Sequence, residues 1–172
     1  MGSSYKIIKV QPAVTAADNA DNDVMFDWTE LANFTNTRGI GALLQSVALM
    51  DRNDTDPGSV SFDLFFCRGS ITGNVSAAPT SAQQLGAADA VVDITGAEAK
   101  AIEVCGHINM TSTEGDLLTG SVVTASNIGL VLAPHPDSTS IYVAGVYRFN
   151  PADTSTGSDA TDGLDFYFGF EG

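Results

Sequence analysis

Two stretches of strict alternation fix what this chain can become. Val60, Phe62, Leu64 and Phe66 alternate with Ser61, Asp63 and Phe65. Near the end, Leu164, Phe166, Phe168 and Phe170 alternate with Asp165, Tyr167 and Gly169. A period of two puts each set of large apolar groups on one side of a pleated strand, which a helix cannot do. Burying such a side chain contributes roughly 1.5–3 kcal/mol, so both sets are expected to face a core. The stretch GALLQSVALM before the first of them is apolar on both sides, Leu43, Val47 and Leu49 against Leu44, Ala48 and Met50. That pattern predicts a strand covered on two faces. Asp54, Asp56, Pro57 and Gly58 supply the turn between the two strands.

The remaining pieces fit the same class. Short strands are expected at Tyr5–Val10 and Val24–Trp28, with Thr29–Gly41 irregular or one helical turn. Ser70–Ala90, small and polar, reads as a surface excursion, and Val91–Ile94 as a brief strand. Further strands are expected at 108–111, 121–128 and 129–132, and SIYVAGVYRF at 140–149 is a strand apolar on both faces. One helix is expected near residues 96–105, with Thr95 as its cap, Glu98 closing a capping box and Gly106 ending it. About eight strands separated by Gly, Asp, Ser and Thr turns predict an all-β chain. The expected architecture is a jelly-roll-like β-sandwich with one short helix. It is read as a single domain over 1–172, with 1–14 as an N-terminal arm or edge strand.

Charge narrows the function. Seven Lys and Arg against twenty-one Asp and Glu leave a net charge of −14. Such a chain is repelled by nucleic acid and by anionic membranes, so neither is expected as a partner. No apolar run approaches the length of a membrane span. Cys67 and Cys105 have no partner motif and read as small core residues in a reducing, cytosol-like compartment.

Candidate chemistry is sparse. Asn19, Asp21, Asp23, Asp27 and Glu30 fall on positions one, three, five, nine and twelve of a calcium loop, but Val24 stands where the sharp turn needs Gly. The bland alternative is a solvated acidic loop running into a strand. His135 lies between two prolines, and His107 follows Gly106, where it would meet the C-terminus of the expected helix. No nucleophile elbow, zinc-protease pair or phosphate-cradling loop is present. Neither catalysis nor a cofactor is expected. Tyr142, Tyr147 and Tyr167 suit either a sugar-stacking face or, on period-two grounds, a core or subunit interface.

Three groups of residues carry a resemblance: LLQSVALMDRND with VSFDLFF; ITGAEAKAIEVCGHI with ASNIGL; and SIYVAGVYRF with LDFYFGF. In this order they resemble the head decoration, or capsid cement, proteins of tailed bacteriophages, over roughly residues 40–170. The resemblance implies a β-sandwich made in the host cytoplasm and mounted on the outer surface of the virion. There it would stabilise the shell of major capsid protein, with no catalytic residues. It also implies self-association, with a homotrimer expected. Residues before 40 and the insert Pro134–Ser138 depart from the pattern. The alternative is a receptor- or carbohydrate-binding module of a phage fibre. Two contact regions are expected. Tyr5, Lys6, Ile7, Ile8 and Lys9 form a cationic, apolar segment for an acidic shell, or else an edge strand whose lysines guard it. Ile141, Tyr142, Val143 and Tyr147, on the doubly apolar strand, are the candidate oligomer interface.

Overall fold

The computed structural model describes residues 4–14, 20–51, 61–72, 75–88, 90–111, 121–148 and 164–172. The Asp54–Gly58 turn, Val60, Asn19 and Phe149 lie outside the described residues. Eight strands build the body: β1 (Tyr5–Val10), β2 (Val24–Leu31), β3 (Ala42–Asp51), β4 (Ser61–Cys67), β7 (Val104–Thr111), β8 (Ser121–Leu132), β9 (Ile141–Tyr147) and β10 (Leu164–Glu171). Between β4 and β7 lie a small hairpin, β5 (Ser70–Thr72) and β6 (Val75–Ala77), a 3-10 turn at Ser81–Gln83, and helix α1 (Gly96–Ala101).

Pairing runs from the two ends of the chain inward. β1 joins β10, β2 joins β9, β3 joins β8 and β4 joins β7, all antiparallel. The result is two four-stranded sheets, β1-β10-β3-β8 and β2-β9-β4-β7. A long hairpin folded over on itself in this way is a jelly roll, as the strand count and spacing led one to expect.

The two alternating stretches supply the core. Phe62, Leu64 and Phe66 on β4 face Leu164, Phe166, Phe168 and Phe170 on β10 across the sandwich, all buried. Rings meet edge to face, Phe62 on Phe166 at 5.9 Å and Phe66 on Phe168 at 6.1 Å. That is the favoured geometry for aromatic pairs.

The two faces of β3 divide differently from a plain alternation. Ala42, Leu44, Val47 and Leu49 are buried, while Leu43, Ala48 and Met50 are only half covered. Gln45 is an extra residue, since Leu44 pairs with Phe170 and Ser46 with Gly169. A bulge flips the side-chain parity, so Leu44 joins Val47 on the inside and Leu43 goes out.

The helix is shorter than expected. Thr95 caps it, and Thr95 and Glu98 form the capping box as read, but Ile102 is the C-cap. Glu103, at φ 47°, makes the left-handed turn out of it. Gly106 belongs instead to β7, where an added Cβ would lie 2.6 Å from a Leu132 methyl. That glycine is there for close approach between the sheets, not to end a helix. The Val91–Ile94 strand reduces to a single bridge between Asp23 and Val91.

Candidate functional site

The outer face of the β2-β9-β4-β7 sheet carries a groove made by the excursion that follows β6. Three tethers fold that excursion back onto the sheet. Trp28 Nε1 donates to the Gln83 carbonyl at 2.9 Å. Leu85 N donates to Asp27 Oδ1 at 3.0 Å, and Val24 N donates to the Ala90 carbonyl at 2.8 Å. Leu85 then packs with Val24, Ala144 and Val146 in a second small core, flanked by Trp28, Phe65, Val92 and Ile94. Beside it remains an open, mainly apolar groove of about 620 Å³, walled by Trp28, Phe65, Val92, Ile94 and Val104, with Asn22 and Arg148 at its polar end.

At that end a polar cluster ties three strands together. Asp63 on β4 accepts from Asn109 Nδ2 at 2.9 Å and from Arg148 Nε at 2.6 Å, and His107 Nε2 lies 3.1 Å away. Arg148 also donates to Asn22 Oδ1. Burial pushes the Asp63 carboxyl up, but the hydrogen bonds from Asn109, Arg148 and His107, with the Arg148 charge, outweigh it and hold its pKa below the usual value. His107 therefore pairs with Phe65 across two strands and with Asp63, and is not at a helix end as the sequence suggested. This arrangement braces β4, β7 and the end of β9.

The acidic loop does not converge. Asp23 accepts from Ala20 N at 2.7 Å, Asp27 holds Leu85 and Trp28 backbone N–H groups, and Asp21 accepts from Asn22. From Val24 on the chain is extended. At about 3.3 Å per residue, Glu30 stands roughly 20 Å from Asp23. Among the described residues no group of three or more His, Cys, Asp or Glu is placed to hold a metal ion. The calcium reading fails because a strand replaces the curl that would gather the ligands.

The candidate interface on β9 is also corrected. β9 is interior to its sheet, between β2 and β4. Ile141, Val143 and Tyr147 are buried in the main core, and a side chain with no exposed surface has nothing to offer a second copy. Tyr142 alone points outward and is half covered; burial, then the nearby Glu30, raises its pKa.

β1 is an edge strand paired along its length with β10. Ile8 and Val10 pack against the core, whereas Tyr5 and Ile7 are 57% and 62% exposed. Lys6 donates to the Asn33 carbonyl, and Lys9 Nζ lies 3.0 Å from the buried Asp165 carboxylate, over the Tyr167 ring. Both cations are thus engaged within the chain, and the outward side of the segment presents Tyr5, Ile7 and the partly exposed, Asp165-paired Lys9.

No protein-family model matches the chain, and no curated protein sequence matches it. Among solved structures it is similar to the structure of infectious bursal disease virus Gx strain, at 9% identity and a TM-score of 0.22. The match covers 98% of this chain and 41% of that one, so the chain spans about two fifths of the viral chain's length. The class rests on strand order alone: an eight-stranded jelly-roll sandwich.

Proposed function

We propose that this chain is a virion structural protein, specifically a head decoration protein that binds the outside of a tailed-phage shell and stabilises its lattice of major capsid protein. The observation that carries this reading is where the resembling stretches fall. LLQSVALMD is β3, SFDLFFC is β4, IYVAGVY is β9 and LDFYFGFE is β10, so the stretches form the inner walls of one closed sandwich. A net charge of −14 suits a protein mounted outside a shell packed with nucleic acid. A protein that binds only the assembled lattice stabilises it by mass action. In this reading the shell meets β1 through Tyr5 and Ile7, with Lys9 beside them already paired to Asp165 and Lys6 bonded to the Asn33 carbonyl. It is made in the host cytoplasm and added to the finished head.

The test mixes purified protein with heads that lack it. Saturable binding at hundreds of copies per head, with heads more resistant to heat rupture, is the expected result. Ile7→Glu should weaken that binding while leaving the unfolding free energy from urea titration within about 0.5 kcal/mol, as for other surface changes. Heads that bind none of the protein would end the proposal. Trp28 and Phe65 in the groove favour a second reading, a glycan-binding fibre module. Quenching of Trp28 fluorescence by host-surface glycans would support that reading instead.

A further inference from the structure

We infer that the β3–β8 side of the β1-β10-β3-β8 sheet is a contact face between two copies of this chain. The observation is a gap in the charge. β8, twelve residues of sequence SVVTASNIGLVL, carries no Lys, Arg, Asp or Glu, and it stands at the edge of its sheet. Its neighbour β3 turns Leu43, Ser46 and Ala48 outward beside it, opposite Val131, Ser126 and Thr124 in register. Val131 is 70% exposed, and Thr124 and Ser126 are exposed too. Edge strands in soluble proteins are ordinarily blunted by charge or proline. This one has neither, although the chain as a whole carries −14.

Two copies of so acidic a molecule repel each other at most orientations. They approach most cheaply through a face that bears no charge. The face is also self-complementary. A hydroxyl both donates and accepts, so Ser46, Thr124 and Ser126 can pair with the same groups on a copy turned about a two-fold axis. Carboxylates in those places would oppose themselves. Gly169 on β10, covered by the Tyr5 ring, marks the limit of the face, since Tyr5 Oη bonds to Ser46 Oγ at 2.9 Å. Lys9 and Asp165 lie farther along β1 and β10, but Glu171 stands opposite Leu43 and accepts from Gln45 Nε2 at 2.8 Å, so at that end the uncharged ground is β8. Two strands about 4.8 Å apart and twelve residues long present roughly 400 Å² in projection. A standard stable interface buries about 800 Å² per partner. The pair is therefore concentration-dependent in solution, and would tighten where copies are held side by side.

The inference does not depend on the shell, because sedimentation velocity on the purified protein, from micromolar to millimolar concentration, reads it directly. Expected is self-association that strengthens at high salt, as screening relieves the −14 repulsion. Thr124→Glu with Ser126→Glu should weaken it at least about tenfold, or 1.4 kcal/mol, with the circular dichroism unchanged. Val91→Glu, on the segment that folds over the other sheet, should leave it unchanged. Should the double variant misfold, Val131→Lys repeats the test with the hydroxyls intact. A protein monomeric at every salt concentration, or association indifferent to both face variants, would overturn the inference. So would variants that still pair but no longer bind heads, which would hand the face to the shell.

Discussion

Phe168→Ala tests the packing on which the whole sandwich rests. The ring has no exposed surface. It lies between Phe166 and Phe170 on its own strand, at 5.9 and 6.5 Å, and meets Phe66 of the opposite sheet edge to face. Deleting a buried phenyl costs about 3–5 kcal/mol, partly for the lost transfer energy and partly for the cavity. Collapse into that cavity is limited, because both flanking rings are fixed by their own partners, Phe166 by Phe26 and Phe62, and Phe170 by Phe34. The upper half of the range is therefore expected. At about 2.1 cal/mol/K per residue the unfolding entropy of the chain is about 0.36 kcal/mol/K, so the midpoint should fall by about 11–14 °C. Urea unfolding followed by tyrosine and tryptophan fluorescence should give a lower midpoint at unchanged slope. Tyr167→Ala, one residue away on the outer face, is the control and should cost much less. A loss under about 1 kcal/mol for Phe168→Ala, as for a surface site, would refute the inward assignment of β10.

Two further outcomes follow from the outer face of the other sheet. Asp63 has its folded pKa held below the unfolded value near 3.8, so its stabilising effect is present above that pH and lost as pH falls through the lowered folded value. Asp63→Asn should therefore flatten the acid limb of stability against pH below about 4, and an unchanged limb would count against the cluster's role. Cys67 is buried and free, its thiol pushed up to about 12 by burial. Alkylation at mildly alkaline pH should be slow in the folded protein and fast in urea; fast modification of Cys67 under native conditions would contradict its placement.

How much was legible depends on whether the cause lay nearby in the chain. β4 and β10 were readable because alternation over seven or eight residues is a local signal. The capping box at Thr95 and Glu98 was readable for the same reason. Gln45 was not, because a bulge exists only relative to a partner, here Phe170 and Gly169 on a strand more than a hundred residues away. Gly106 was assigned to the wrong task because the Leu132 side chain that requires it comes from the opposite sheet. β9 teaches the sharper lesson. Its two apolar faces recorded correctly that something covers each, and a second copy was one candidate. The cover is Leu85, from a stretch whose small, polar composition read as solvent-exposed, with Val92 and Ile94 from a piece read as a brief strand. The groove beside Trp28 was missed with it, since both arise from that one fold-back. β8 presents the converse. It is apolar and uncharged, and its inner residues are covered by the sandwich, yet Val131, Thr124 and Ser126 stay open to solvent. Where the chain supplies its own cover, as over β9, no partner need be invoked. On β8 the uncovered, uncharged side is where the argument for a partner begins.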